Sequence, residues 1–273
     1  MAHADSRRTG SYLKGGRMDE EMAKKLRYLR LPGLLNHWDE YLALAQRQKF
    51  SPVHLLQYVV EQECKYKNEN ARRLRLARAK IPETLVMETY PFDRQPKLDK
   101  KRVLSLYDAF EYIAQKQNII WVGPTGVGKS GLATSFLIDV IHRGYTGYFV
   151  RFPKLIKDLF EATADHSEQQ VLKRYASYDC LLCDEVGYVE VEQAQVGQFF
   201  TLMQIRHKKK TTLITSNLGF SEWRGFLKND HLTAALIDRL TENSHVINMK
   251  NCKSLRTTLG PPETPDHDLP EAS

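Results

Sequence analysis

The sequence predicts an α/β fold: a P-loop core built on a parallel five-stranded sheet, behind a small all-helical N-terminal domain. Three observations predict it. From about residue 99 onward, short apolar runs alternate with helix-length segments, the rhythm of βαβ units. One of those runs enters a glycine-rich turn and leaves it as a helix. Before residue 99 the apolar period is helical, broken by proline and glycine.

In chain order, residues 1–17 are polar and rich in Gly, Ser and Arg, and read as a flexible arm. Residues 18–98 form the helical domain and a connector. Met22, Leu26 and Leu29 share a helical face until Pro32 and Gly33 break the run, and Leu35, Trp38, Leu42 and Ala45 define the next face. Ser51 and Pro52 have the pattern of an N-cap followed by proline at the first helical position. The helix they start ends in a basic stretch, residues 71–80, which suits either a solvated face or a DNA-backbone contact. Pro82, Pro91 and Pro96 mark the connector, and a helix over 98–116 leads into the second domain, residues 99–256. Its strands are expected at 118–122, 147–151, 179–183, 211–215 and 245–249. Residues 257–273, with Pro261, Pro262, Pro265 and several acids, read as a disordered tail.

Composition bounds the function classes. The chain has 273 residues, 42% of them apolar and 27% charged, which suits a globular protein with a sizeable core. A formal charge of +7 fits a polyanionic partner without requiring one. No run approaches the ~20 apolar residues of a membrane helix, and no secretory signal is present, so a cytoplasmic location without membrane contact is expected. Cys180 and Cys183 read C-x-x-C, but on a strand positions i and i+3 face opposite ways. They are expected to be buried apolar residues rather than a metal or redox pair.

The strongest motif is Gly123, Pro124, Thr125, Gly126, Val127, Gly128, Lys129 and Ser130, with Gly131 after it. This is the phosphate-loop pattern in its proper strand–loop–helix setting. The glycines let backbone N–H groups turn toward phosphates at a helix N-terminus. Lys129 is expected to neutralise the β- and γ-phosphates of ATP, and Ser130 to offer its hydroxyl to Mg2+. An apolar strand then ends in Asp184 and Glu185. Asp184 would hold the magnesium through water, and Glu185 would deprotonate an attacking water, which favours hydrolysis over transfer to an acceptor. Asn217, with Ser216 in reserve, is a candidate contact to the γ-phosphate or that water, though Ser-Asn also begins many loops. Arg239 suits either a reach into a neighbouring subunit's site or a surface pairing with Asp238 or Glu242.

These segments resemble the IstB-like ATP-binding proteins, AAA+ transposition helpers of bacterial insertion sequences related to DnaC-type helicase loaders. The carrying residues are Leu29 to Gly33, Gly123 to Ser130, Asp184 to Tyr188, Thr215 to Trp223 and Ile237 to Leu240. Val186 and Gly219 depart from the family's usual Leu and Pro, and the proline usual shortly after Tyr188 is missing. No departure touches a catalytic position. The resemblance implies an AAA+ core and a homo-oligomer with ATP between subunits. It also implies duplex DNA binding and a cognate transposase as partner. It makes Arg239 an arginine finger and Asn217 a sensor. For DNA, the basic residues Arg151, Lys154 and Lys157 with the aromatic Phe152, followed by Lys173 and Arg174, suit phosphate contacts with a wedging ring, or else solvated surface. A helicase loader of the same fold is the alternative function, and an ATP-binding scaffold with little turnover is another.

Overall fold

The structure, a computed structural model, describes residues 18–256 except Asp165, Val189, Glu190 and Glu192. The expected arm at 1–17 and tail at 257–273 lie outside the described residues. The chain divides into two compact units after Leu74.

The first unit holds α1 (Glu20–Tyr28), α2 (Pro32–Arg47) and most of α3 (Pro52–Arg78). Asp19 caps α1 by accepting the Met22 N–H at 2.6 Å, and Ser51 Oγ accepts the His54 N–H at 3.2 Å ahead of Pro52. Gly33 is buried because α2 and α3 touch there. A Cβ on it would stand 2.8 Å from Glu63 Oε2 and 3.1 Å from the Tyr66 Cβ. The buried Glu63 carboxylate accepts the Leu34 N–H at 2.9 Å, placing negative charge at the start of α2. The Leu-Pro-Gly segment is thus a helix junction.

The second unit includes residues 75–98, which the sequence groups with the helical region. Ala79, Met87 and Leu98 are buried in the core beneath the sheet, and the Ala79 carbonyl accepts the Phe149 N–H at 2.8 Å. The helix expected over 98–116 is two, α4 (Lys100–Ala109) and α5 (Glu111–Ala114), divided at Phe110 with φ 56°. The Phe110 ring is held by Tyr112, Tyr145 and the Arg143 guanidinium, which lies 4.2 Å from its centroid. There follow β1 (Asn118–Val122), α6 (Lys129–His142), β2 (Gly147–Arg151), α7 (Phe152–Ala164), α8 (Glu168–Ser177) and β3 (Cys180–Val186). The chain ends in α9 (Gln193–Arg206), β4 (Thr211–Ser216), α10 (Trp223–Leu227), α11 (Asp230–Thr241) and β5 (Ser244–Asn248).

The five strands form one parallel sheet in the order β2-β3-β4-β1-β5. Alternation along each strand serves two cores. Ile119, Trp121, Leu182 and Leu213 pack with Leu132, Phe136 and Val140 of α6, whereas Ile120, Leu181 and Ile214 pack with Phe152, Leu155, Phe199 and Leu236. Cys180 belongs to the first layer and Cys183 to the second, so the two thiols face apart as their spacing requires. Burial pushes both up to about 12. Among the described residues no helix is long and apolar enough to cross a membrane.

One buried cation braces the second layer. Arg206, at the end of α9, donates to the carbonyls of Tyr175 (3.0 Å), Tyr178 (2.9 Å) and Thr211 and to Thr212 Oγ1 at 3.1 Å. Burial among these neutral acceptors lowers its pKa to about 10. Arg206→Leu leaves those carbonyls without their donor and is expected to destabilise the protein by about 3 kcal/mol. Urea unfolding reads this as a lower midpoint at unchanged slope, and an unchanged midpoint would refute the bracing role.

Candidate active site

β1 delivers the chain into the loop 123–128 at the carboxyl edge of the sheet. Gly126 and Gly128 have φ of 85° and 93°, backbone that side-chain-bearing residues adopt only with strain. A Cβ on Gly128 would also stand 2.8 Å from the Tyr90 hydroxyl. Outside the loop, the Val127 carbonyl accepts from Tyr90 Oη and Gln95 Nε2, each at 3.1 Å. The connector therefore fixes the loop from below. Lys129 opens α6, is buried, and donates to the carbonyls of Gly123 and Pro124 at 2.8 Å each. Burial lowers its pKa, Asp184 and Glu185 oppose the shift, and Arg256 adds to it.

Asp184, buried at the end of β3, joins the three elements of the site. Its Oδ1 accepts from Ser130 Oγ at 2.8 Å and from Thr215 Oγ1 at 2.5 Å. Thr215 Oγ1 in turn accepts the Glu185 N–H at 3.0 Å. The β3–β4 register shifts between Cys183 and Val186, and Glu185 sits there at φ 64°, with Gly187 following at 98°. A glutamate held in left-handed backbone stores strain of a kind that collects at functional sites. Its carboxylate is partly exposed and lies 3.8 Å from Arg151 Nε. A hydroxyl and a carboxylate within 2.8 Å are hard oxygen donors suited to magnesium held largely through water and phosphate. The residues present therefore fit that ion.

Ser216, the reserve candidate, serves the turn instead. Its hydroxyl lies 2.9 Å from the Val186 carbonyl and accepts the Leu218 N–H and Trp223 Nε1–H. Asn217 differs, because its Oδ1 is buried beside Gly187 without a hydrogen-bond partner among the described residues. Arg239, on α11, donates to the Ala235 carbonyl at 3.1 Å and lies over the Phe200 ring at 4.8 Å. Neither expected carboxylate pairs with it among the described residues, since Glu242 bonds His207 and Lys208.

The five basic candidates for DNA contact divide. Lys154 and Arg174 converge on Asp158, each at 2.9 Å, Lys157 lies 3.6 Å from Glu161, and Lys173 is exposed. Arg151 stands instead at the edge of the site, in register with Asp184. Phe152 is corrected. It is fully buried against Phe199 and Phe226, so its ring cannot wedge a base step. The spacing of Phe152, Leu155, Ile156 and Leu159 carried that signal, since it marks one apolar helix face. Sequence reasoning also missed the bridging role of Thr215, the supports Tyr90 and Gln95, and a 2.6 Å hydroxyl contact between Thr125 and Tyr188. A polar residue ending the apolar run of β4 was the available clue to Thr215.

The family profile described as IstB-like ATP binding protein matches residues 24–259. The ATP-binding protein of insertion sequence IS232 from Bacillus thuringiensis subsp. berliner is 26% identical over 84% of this chain and 92% of its own length. That of IS21 from Pseudomonas aeruginosa is 29% identical over 84% and 86%. Among solved structures, DnaI superposes with a TM-score of 0.51 at 18% identity, covering 61% of this chain and 91% of that one, a likeness of fold.

The Thr215 bridge has a measurable consequence. Thr215→Val leaves the Glu185 N–H without its acceptor and should cost about 1–2 kcal/mol of stability, whereas Thr215→Ser should stay near wild type. Thermal unfolding of the pair distinguishes loss of the hydroxyl from loss of the methyl.

Proposed function

The chain belongs to the IstB-like ATP binding protein family, and from that premise we propose that it is a magnesium-dependent ATPase that assembles on duplex DNA and stimulates a partner transposase in the cytoplasm. The observation that carries the chemistry is the Ser130–Asp184 pair with Glu185 held one residue beyond it.

Loop N–H groups at the start of α6 and the Lys129 ammonium bind the phosphates of ATP. Ser130 and Asp184 hold magnesium, which supplies charge neutralisation on the phosphates. Glu185 accepts the proton of the attacking water. Asn217 orients that water through its open acceptor Oδ1, or the terminal phosphate through its amide N–H. Arg239 acts in the neighbouring subunit's site, leaving its rest position over Phe200 when subunits meet, and so couples turnover to assembly.

Arg151 links DNA to turnover. In the free chain its guanidinium faces the Glu185 carboxylate across 3.8 Å, an exposed and therefore weak pair. A DNA phosphate that takes Arg151 releases Glu185 to act as base. Lys154, Lys157, Lys173 and Arg174 supply further backbone contacts, their carboxylate partners giving way to phosphate. The transposase partnership draws its support from relatives named for insertion sequences.

Lys129→Ala should abolish ATP binding. Glu185→Gln should keep it while lowering phosphate release at least about hundredfold and leaving assemblies on DNA. Wild-type turnover in Glu185→Gln would remove the base assignment. Arg151→Ala should raise DNA-free turnover and lose most stimulation by duplex DNA. Retained stimulation would move the DNA link elsewhere. Sizing with duplex DNA and a non-hydrolysable ATP analogue tests assembly, which should need both ligands.

A further inference from the structure

Two hydroxyls meet at the open edge of the site, one from the phosphate loop and one from the turn that follows Glu185. Tyr188 Oη lies 2.6 Å from Thr125 Oγ1, and both residues are exposed. Neither hydroxyl has another partner among the described residues. A large ring left in solvent beside polar atoms does nothing for the core, which leaves its hydroxyl as the reason for its place.

The backbone that presents Tyr188 is nevertheless braced from beneath. Thr215 Oγ1 takes the Glu185 N–H, and Ser216 Oγ lies 2.9 Å from the Val186 carbonyl. Gly187, at φ 98°, packs so closely on the next turn that a Cβ there would stand 2.8 Å from Leu218 Cδ1. The Tyr188 N–H reaches back to the Glu185 carbonyl at 3.4 Å. The acid and the ring are therefore the two ends of one fixed turn.

Two hydroxyls hold two protons, and the contact between them uses one. The other O–H has no protein acceptor among the described residues. A phosphate oxygen is a stronger acceptor than a neutral hydroxyl, because it carries charge. If the loop binds phosphates and Glu185 holds the attacking water, the terminal phosphate stands between the loop and the turn 185–188. That is the gap the Thr125–Tyr188 contact bridges. ADP ends one phosphate short of it.

Resting on the ATP reading above, we propose that Tyr188 and Thr125 form a hydroxyl clasp for the terminal phosphate, and that Tyr188 sets the preference for ATP over ADP. The phosphate takes both O–H protons where the pair alone uses one. Lys129 and the loop N–H groups differ in kind, because they serve both nucleotides. The turn is already fixed, so little ordering cost falls on binding.

Titration calorimetry with magnesium on the full chain tests this, comparing ADP with a non-hydrolysable ATP analogue. The chains are wild type, Lys129→Ala, Tyr188→Phe, Thr125→Val and Thr125→Ser. Tyr188→Phe should weaken binding of the analogue about tenfold, the loss of one hydrogen bond to a charged acceptor, and leave ADP at wild-type affinity. Thr125→Val should show the same selective loss, and Thr125→Ser, which keeps the hydroxyl, should stay near wild type. A wild-type ratio of the two affinities in Tyr188→Phe, alongside lost binding in Lys129→Ala, would overturn the clasp and leave the ATP reading intact. Equal losses for both nucleotides in Tyr188→Phe would overturn it too, as would tighter binding of the analogue, which would make the contact a barrier. A wild-type chain that binds neither nucleotide would remove both readings.

Discussion

The carboxylate of Asp184 accepts two hydroxyls at one buried oxygen, and the arrangement of the site depends on that sharing. Ser130 brings the start of α6, Thr215 the end of β4, and Asp184 itself the end of β3. A buried carboxylate without donors would be costly. Here the hydroxyls supply them, and their positions at the start of α6 and the end of β4 fix where those elements stand relative to β3. Thr215 extends the chain of bonds to the Glu185 N–H, so the residue after the carboxylate is oriented by the same contact.

That polar edge is tolerable because the rest of the sheet is apolar on both faces. Trp121, Phe136 and Leu182 fill one layer, and Leu181, Phe199 and Ile214 the other, leaving the carboxyl ends of the strands as the place where polar atoms collect. In doubly wound sheets the crevice at those ends is where ligands bind. Lys129 follows the same logic. It is buried, yet carbonyls of its own loop and the nearby acids offset part of the cost.

Much of this was legible in the sequence. Buried parallel strands read as short apolar runs, and all five fell within a residue or three of their expected bounds, from Asn118–Val122 to Ser244–Asn248. The loop 123–130 and the acidic pair at 184–185 were visible because glycine, lysine and carboxylate at fixed spacing have few other uses. What sequence hid was tertiary. Nothing local marks Gln95 as the clamp between Val127 and Lys253, because its partners lie 32 and 158 residues away. Phe110 could not be read as a left-handed break, since its conformation is held by Arg143 and Tyr145. Phe152 was misread for the opposite reason: its basic neighbours drew attention from the apolar period it belongs to.

The separation of Cys180 and Cys183 onto opposite layers bears on how the protein can be handled. Both thiols are shielded, and at neutral pH neither presents the thiolate that alkylating reagents attack. Cys252 is also buried, whereas Cys64 on α3 is exposed. A maleimide dye therefore marks the first unit selectively in the unmodified chain. The helical region, whose partners the ATP site does not reveal, can be followed by fluorescence without altering a residue of the second unit.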